Sequence, residues 1–299
     1  MGGDAVVTSE SAHTGSSTAE KVVGVVHTPS TGACDGNFSR EGAAMGTLSR
    51  VLALWPVARL QARVSSSARP IKDAAVVEPR RSPQLGTVIF MHGLGDNGDG
   101  WSTLFDDVDR GLPKHLQGRV RMVFPHAQRQ PVSLNNGYAM PSWFDITGLN
   151  ADAAEDEVGM EATAARISSL IDDEVAAGVA PRRIIVGGFS QGGAVALRVA
   201  LQSQRPLGGC VALSTWLHSR SLYPRKLGPH ARTLRLLQAH GSADTVVSPL
   251  WGKASHELLS SMGIVGRFVD APGVGHGADT AVLQEISAFV GEVLDGAEP

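Results

Sequence analysis

Ser190 stands at the centre of Gly188-Phe189-Ser190-Gln191-Gly192, and the residues flanking this pentapeptide restrict the fold more than any other feature of the chain. Before it, Ile184-Ile185-Val186 is an apolar, β-branched run; after it, Ala194–Leu201 is rich in alanine, leucine and valine and suits a helix. A strand that turns straight into a helix at a serine makes a sharp elbow, and glycine is needed there because a Cβ would collide inside so tight a turn. The elbow exposes the hydroxyl. A serine hydroxyl is a poor nucleophile until a base removes its proton and N–H groups await the oxyanion. The pentapeptide is short and glycine is abundant in the chain (35 of 299 residues), so its meaning depends on what the rest of the sequence supplies.

Apolar β-branched runs alternate with helix-compatible segments from about residue 76 onward. Strands are expected at Gly86–Met91, Val120–Phe124, Arg183–Gly188, Gly209–Ser214, Leu234–His240 and Gly266–Asp270. Helices are expected at Glu155–Ala177, at about Leu250–Met262 and at Asp279–Leu294. In the first of these, Val158, Ala162, Ile167, Leu170, Ile171 and Val175 mark the apolar face; in the last, Val282, Ile286, Phe289, Val290 and Val293 do. Such alternation predicts an α/β fold with a parallel sheet covered on both sides. Residues 1–75 differ: they are rich in Ser, Thr, Gly and Ala and read as a disordered extension. Within them, residues 45–72 hold arginine, serine and spaced leucine without Asp or Glu, the composition of an organelle transit segment; without such an address the expected compartment is the cytoplasm. A net charge of −3 argues against a nucleic-acid surface, two cysteines form no disulfide framework, and no apolar stretch is long enough for a membrane span.

A competing motif lies upstream. Gly93-Leu94-Gly95-Asp96-Asn97-Gly98 matches the G-x-G-x-x-G dinucleotide fingerprint and follows a strand. His92 precedes it, no acid stands at 113–118 to hold a ribose, and Asp99 occupies the position of a P-loop lysine. The same residues suit a loop that lends one backbone N–H to an oxyanion hole. Two later strands each run into one titratable group: Leu234–His240 into Asp244, and Gly266–Asp270 into His276. Serine, acid and histidine in that order, each at the carboxyl end of a strand, are the triad order of α/β-hydrolases. Asp244 would orient the imidazole of His276, and a histidine with an ordinary pKa near ~6.5 takes a proton from serine at neutral pH. His92, His126 and His240 are read as structural or site-lining, because none follows the acid in sequence. No metal site is argued, since His256-Glu257 lacks a second histidine at ligand spacing.

His92-Gly93-Leu94-Gly95-Asp96 with Trp101, Phe124-Pro125-His126-Ala127, Ala139–Ile146 (AMPSWFDI), Glu155-Asp156-Glu157, Gly187–Gly193, Ala212-Leu213-Ser214 with Trp216-Leu217, and His240-Gly241 together resemble the acyl-protein thioesterase and lysophospholipase-type carboxylesterase family. The resemblance spans about residues 85–294. It implies a minimal α/β-hydrolase over 76–299, with no large cap domain. It also implies Ser190 as nucleophile, Asp244 and His276 as its partners, and the N–H groups of Leu94 and Gln191 as the oxyanion hole. Leu134, Met140 and Trp143 are groove candidates for an acyl chain, or else ordinary core. Expected substrates are S-acylated (chiefly S-palmitoyl) proteins or lipid esters such as lysophospholipids. No cofactor is expected, membrane contact is at most peripheral, and the oligomeric state stays open. A short-chain carboxylesterase, or a hydrolase-fold receptor without turnover, is the alternative. The sequence departs from the family after Asp244, where Thr245 and Ser248 replace prolines, and at Thr215, where cysteine is common.

Overall fold

The computed structural model describes residues 74–150 and 153–297, so the expectations for residues 1–73, the candidate transit segment among them, lie outside the described residues. In chain order the elements are β1 (Ala74–Val77), β2 (Gly86–Met91), α1 (Gly98–Gly111), β3 (Val120–Pro125), β4 (Arg129–Val132) and β5 (Tyr138–Pro141). There follow α2 (Glu157–Ala176), β6 (Ile184–Phe189), α3 (Gln191–Gln202), β7 (Gly209–Leu213), β8 (Arg235–Gly241), α4 (Pro249–Ser261), β9 (Gly266–Ala271) and α5 (Thr280–Asp295). Seven strands form one sheet in the order β1-β3-β2-β6-β7-β8-β9. Only β1 runs antiparallel; every other pairing is parallel. This is the α/β-hydrolase fold. Between β3 and α2 stand only the β4–β5 hairpin and irregular chain, with no cap domain among the described residues.

Burial on both faces explains why the central strands read as unbroken apolar runs. Along β2, Ile89 and Met91 join a core shared with α2, α3 and α4, while Val88 and Phe90 join a second core built with α1 and α5. Arg198 of α3, 1% exposed at its side chain, reaches α2 through a two-pronged ion pair with Glu157 (2.7 Å on both oxygens), which satisfies its buried charge.

The apolar face expected for α2 holds at Ile167, Leu170, Ile171 and Val175, which are buried or packed against the core, and is corrected at Val158 and Ala162. Val158 is 82% exposed and Ala162 also faces solvent, whereas the buried stripe is Met160, Thr163, Ile167, Ile171 and Glu174. The helix starts at Glu157 behind an Asp156 cap that accepts from Gly159 N (2.9 Å), and two polar side chains occupy its inner face. They are tolerated because they are bonded: the Thr163 hydroxyl donates to the Trp143 carbonyl, and Glu174 accepts from Thr87 Oγ1 (2.6 Å) and pairs with Arg121. No helix among the described residues is long and apolar enough to cross a membrane.

Candidate active site

Every parallel strand ends at the same edge of the sheet, and the loops after β2, β6, β8 and β9 meet there. Ser190 follows β6, the strand flanked by β2 and β7, and adopts φ 54, ψ −121, a region that a residue with a Cβ enters only when its surroundings hold it there. Three contacts do so. Ser190 N–H donates to the Leu213 carbonyl (2.8 Å), Gly193 N–H returns to the Ser190 carbonyl (3.0 Å), and Thr215 Oγ1 donates to that same carbonyl (2.7 Å). A Cβ at Gly188 would lie 2.3 Å from the Gly192 backbone, and one at Gly192 would lie 2.4 Å from the Met91 oxygen, so both glycines are required by close approach.

The structure brings the three groups singled out in the sequence into one chain of contacts. Ser190 Oγ lies 3.0 Å from His276 Nε2, and His276 Nδ1 lies 2.8 Å from Asp244 Oδ2. The Asp244 side chain is fully buried, and its Oδ1 accepts from Val246 N and Val247 N, both at 2.9 Å. Burial alone would push this carboxyl up; the nearby imidazoles of His240 and His276 and the Val247 N–H outweigh it and hold the group well below the usual carboxylate range. Because a carboxylate only accepts, His276 carries its proton on Nδ1 and turns the Nε2 lone pair to the serine. Phe189 packs on the imidazole at 4.6 Å between ring centres. After Asp244 the chain follows a turn through Thr245–Val247 and enters α4 at Pro249, so the acid loop closes without the missing prolines. Gly275 and Gly277 have open space where a Cβ would be; the close approach falls at Gly241, where a Cβ would lie 2.3 Å from the Gly275 oxygen.

Among the described residues, the backbone N–H groups of Leu94 and Gln191 have no hydrogen-bond acceptor. Their neighbours are pinned: Gly95 N–H donates to the Pro141 carbonyl (2.9 Å), which holds the loop after β2 against β5. The Gln191 side chain does more than the sequence indicated. Its Oε1 accepts from Trp143 N (3.1 Å), and its Nε2 donates to Ser142 Oγ (2.9 Å) and the Phe144 carbonyl (2.6 Å). No local pattern announces those contacts.

Ser190 and His276 open into a cavity of about 690 Å³ whose apolar wall includes Leu94, Leu134, Met140 and Ile146. Trp143, also a groove candidate, is instead core: it is 2% exposed and its Nε1–H donates to the His92 carbonyl (2.8 Å). A second cavity of about 320 Å³, lined by Phe144, Leu217, Trp251 and Leu258, shares Ile146, Leu149 and Trp216 with the first.

His92 and His218 flank the site as buried neutral imidazoles. His92 Nδ1 donates to the Gly93 carbonyl (2.7 Å) and Nε2 accepts from Ala127 N (3.0 Å), an arrangement that leaves no place for a second proton. Burial lowers the pKa of both. Since the unfolded chain takes up these protons near ~6.5 and the folded one resists them, stability should fall as pH drops below that value. The urea midpoint should therefore be lower at about pH 5 than at pH 7.5; equal midpoints would contradict the buried-neutral state.

The sequence profile of the Phospholipase/Carboxylesterase family matches residues 72–294. Acyl-protein thioesterase 1 of Gibberella zeae is 36% identical over 228 residues, covering 74% of this chain and 96% of that protein. Acyl-protein thioesterase 1 of Cryptococcus neoformans is 37% identical over 234 residues, covering 73% and 96%. Among solved structures, Zea mays acyl-protein thioesterase 2 aligns with a TM-score of 0.66 at 31% identity, over 74% of this chain and 98% of that one. Arabidopsis thaliana SOBER1 aligns at 0.65 and 28%, over 70% and 99%.

Proposed function

The chain belongs to the phospholipase/carboxylesterase family of α/β-hydrolases, and from that premise we propose that it is a serine hydrolase of acyl thioesters and esters. The observation that carries the reading is the relay from Ser190 Oγ through His276 to Asp244, with contacts of 3.0 and 2.8 Å. His276 Nε2 takes the Ser190 proton as Oγ attacks the acyl carbonyl, and the oxyanion is met by the N–H groups of Leu94 and Gln191. The C–S or C–O bond then breaks, and His276 gives its proton to the departing thiolate or alkoxide. Water repeats the sequence on the acyl-Ser190 ester and releases the acid.

The substrate class follows from relatives named acyl-protein thioesterase and from the cavity beside Ser190. Its apolar wall, continued by the second cavity across Ile146, Leu149 and Trp216, suits a long acyl chain such as palmitoyl on a protein cysteine or a lysophospholipid. Each methylene buried is worth up to about 0.8 kcal/mol, so kcat/KM should climb steeply with chain length. Paired thioester and oxygen-ester series from butyryl to palmitoyl test this. A profile that peaks at butyryl would overturn the long-chain assignment in favour of a short-chain carboxylesterase. A fluorophosphonate probe should label the protein and fail to label Ser190→Ala; equal labelling of the two would overturn the nucleophile.

A further inference from the structure

Asp244 is contacted by a second imidazole. His240, at the end of β8 and 2% exposed, places Nε2 at 3.0 Å from the Val247 carbonyl and 3.3 Å from Asp244 Oδ2, the same oxygen that faces His276. Both neighbours of this nitrogen only accept, so Nε2 carries a hydrogen, the opposite tautomer to that of His276. The ring is seated against α4: a Cβ at Gly252 would lie 2.3 Å from His240 Nδ1. His240 is therefore fixed in position, with its N–H directed at the acid loop.

We propose that His240 is a positioning residue for the acid, bracing the Asp244–Val247 loop through the Val247 carbonyl while sharing Asp244 Oδ2 with His276. This rests on the Ser190–His276–Asp244 reading above. The physical effect has two parts. Anchoring Val247 keeps Val247 N–H on Asp244 Oδ1, and so fixes the carboxylate plane toward His276 Nδ1. The His240 N–H also draws on the charge of Oδ2, leaving less of it to stabilise a protonated His276. The remaining charges around the pair are engaged elsewhere: Asp270, opposite His240 in register on β9, is bonded to Lys253 of α4 (2.8 Å), and Asp279 caps α5. His256 of α4 is bonded to Gln238 (2.9 Å).

The sign of the pH effect follows. Without the His240 N–H, Asp244 holds a proton on His276 more firmly, and activity needs that nitrogen free. In His240→Leu the acidic limb of the kcat/KM profile should move up by roughly half a pH unit or more. Turnover at pH 6 should fall by roughly tenfold with KM for a soluble ester within about twofold. His240→Gln, which can present an amide N–H near the Nε2 position, should restore most of both. A limb that stays in place in a folded His240→Leu would overturn the proposal and leave His240 as packing alone. The unmutated protein supplies a second test, which decides the matter should that variant not fold. Its His240 Nε2–H resonance should shift as His276 is titrated, because the two share an oxygen; a resonance that ignores that titration is the overturning result. Ser190→Ala separates the two readings, since retained turnover there would refute the triad itself, whereas a dead Ser190→Ala beside an unmoved limb refutes only the role of His240.

Discussion

Asp244→Asn is expected to lower kcat by about four orders of magnitude at neutral pH while leaving the fold and KM largely intact. The two oxygens of Asp244 have different partners, which decides how an asparagine would sit. Oδ1 accepts from two backbone N–H groups at 2.9 Å, so the amide oxygen must take that place. The amide NH2 then faces His276 Nδ1, where the carboxylate oxygen stood at 2.8 Å. Two donors cannot bond, and His276 must move its proton to Nε2, the nitrogen that faces Ser190 Oγ. A nitrogen already protonated accepts nothing from serine. Steady-state kinetics give the magnitude and an imidazole ¹⁵N spectrum gives the tautomer; a loss below about tenfold would remove Asp244 from the mechanism. The same variant should flatten the acid side of the stability profile. A carboxyl held below the ordinary range stabilises the fold above its unfolded pKa, and that contribution is lost as pH falls through the folded value.

Gly192→Ala is expected to combine a loss of stability of about 1–3 kcal/mol or more with a loss of turnover of at least about a hundredfold. The added Cβ would lie 2.4 Å from the Met91 oxygen, 2.5 Å from the His92 oxygen and 2.6 Å from the Met91 carbonyl carbon. All three are backbone atoms at the end of β2, so no side chain can swing aside. The first turn of α3 must retreat from β2, and that widens the gap between the N–H groups of Leu94 and Gln191. Thermal melting and kinetics on one preparation separate the two losses. A variant with an unshifted Tm and full activity would mean that these strands tolerate the displacement.

Elements buried on both faces were legible from sequence, because a strand such as Ile184–Phe189 must be apolar at every position. The order Ser190, Asp244, His276 was legible because each residue stands where an apolar run stops. Two short, partly exposed strands were not. β1 is a four-residue edge strand with one exposed position, and β4 is a four-residue strand with an exposed proline, Pro131, so neither shows a period long enough to read. The α2 face was legible at Ile167, Leu170, Ile171 and Val175 but not in full, because residue type reports apolarity, whereas Thr163 and Glu174 are buried by virtue of partners far away in sequence. Gln191 and His240 belong to the same class. Their side chains act on Ser142–Phe144 and on Val247 through contacts that only the folded chain creates.

The segment Pro141–Phe144 has a consequence of its own. The two N–H donors proposed for the oxyanion come from separate loops, after β2 and after β6, and nothing in the sheet alone sets their spacing to a few tenths of an ångström. Both loops are fastened to this one short segment: the first by Gly95 N–H on the Pro141 carbonyl and Trp143 Nε1–H on the His92 carbonyl, the second by the Gln191 amide on Ser142, Trp143 and Phe144. It works as a jig holds two parts during assembly. Thermal motion of the segment carries both donors together, so errors in their absolute positions cancel in the distance between them. That places the machining tolerance of the site in a hairpin strand and its trailing turn, which contribute no reacting atom.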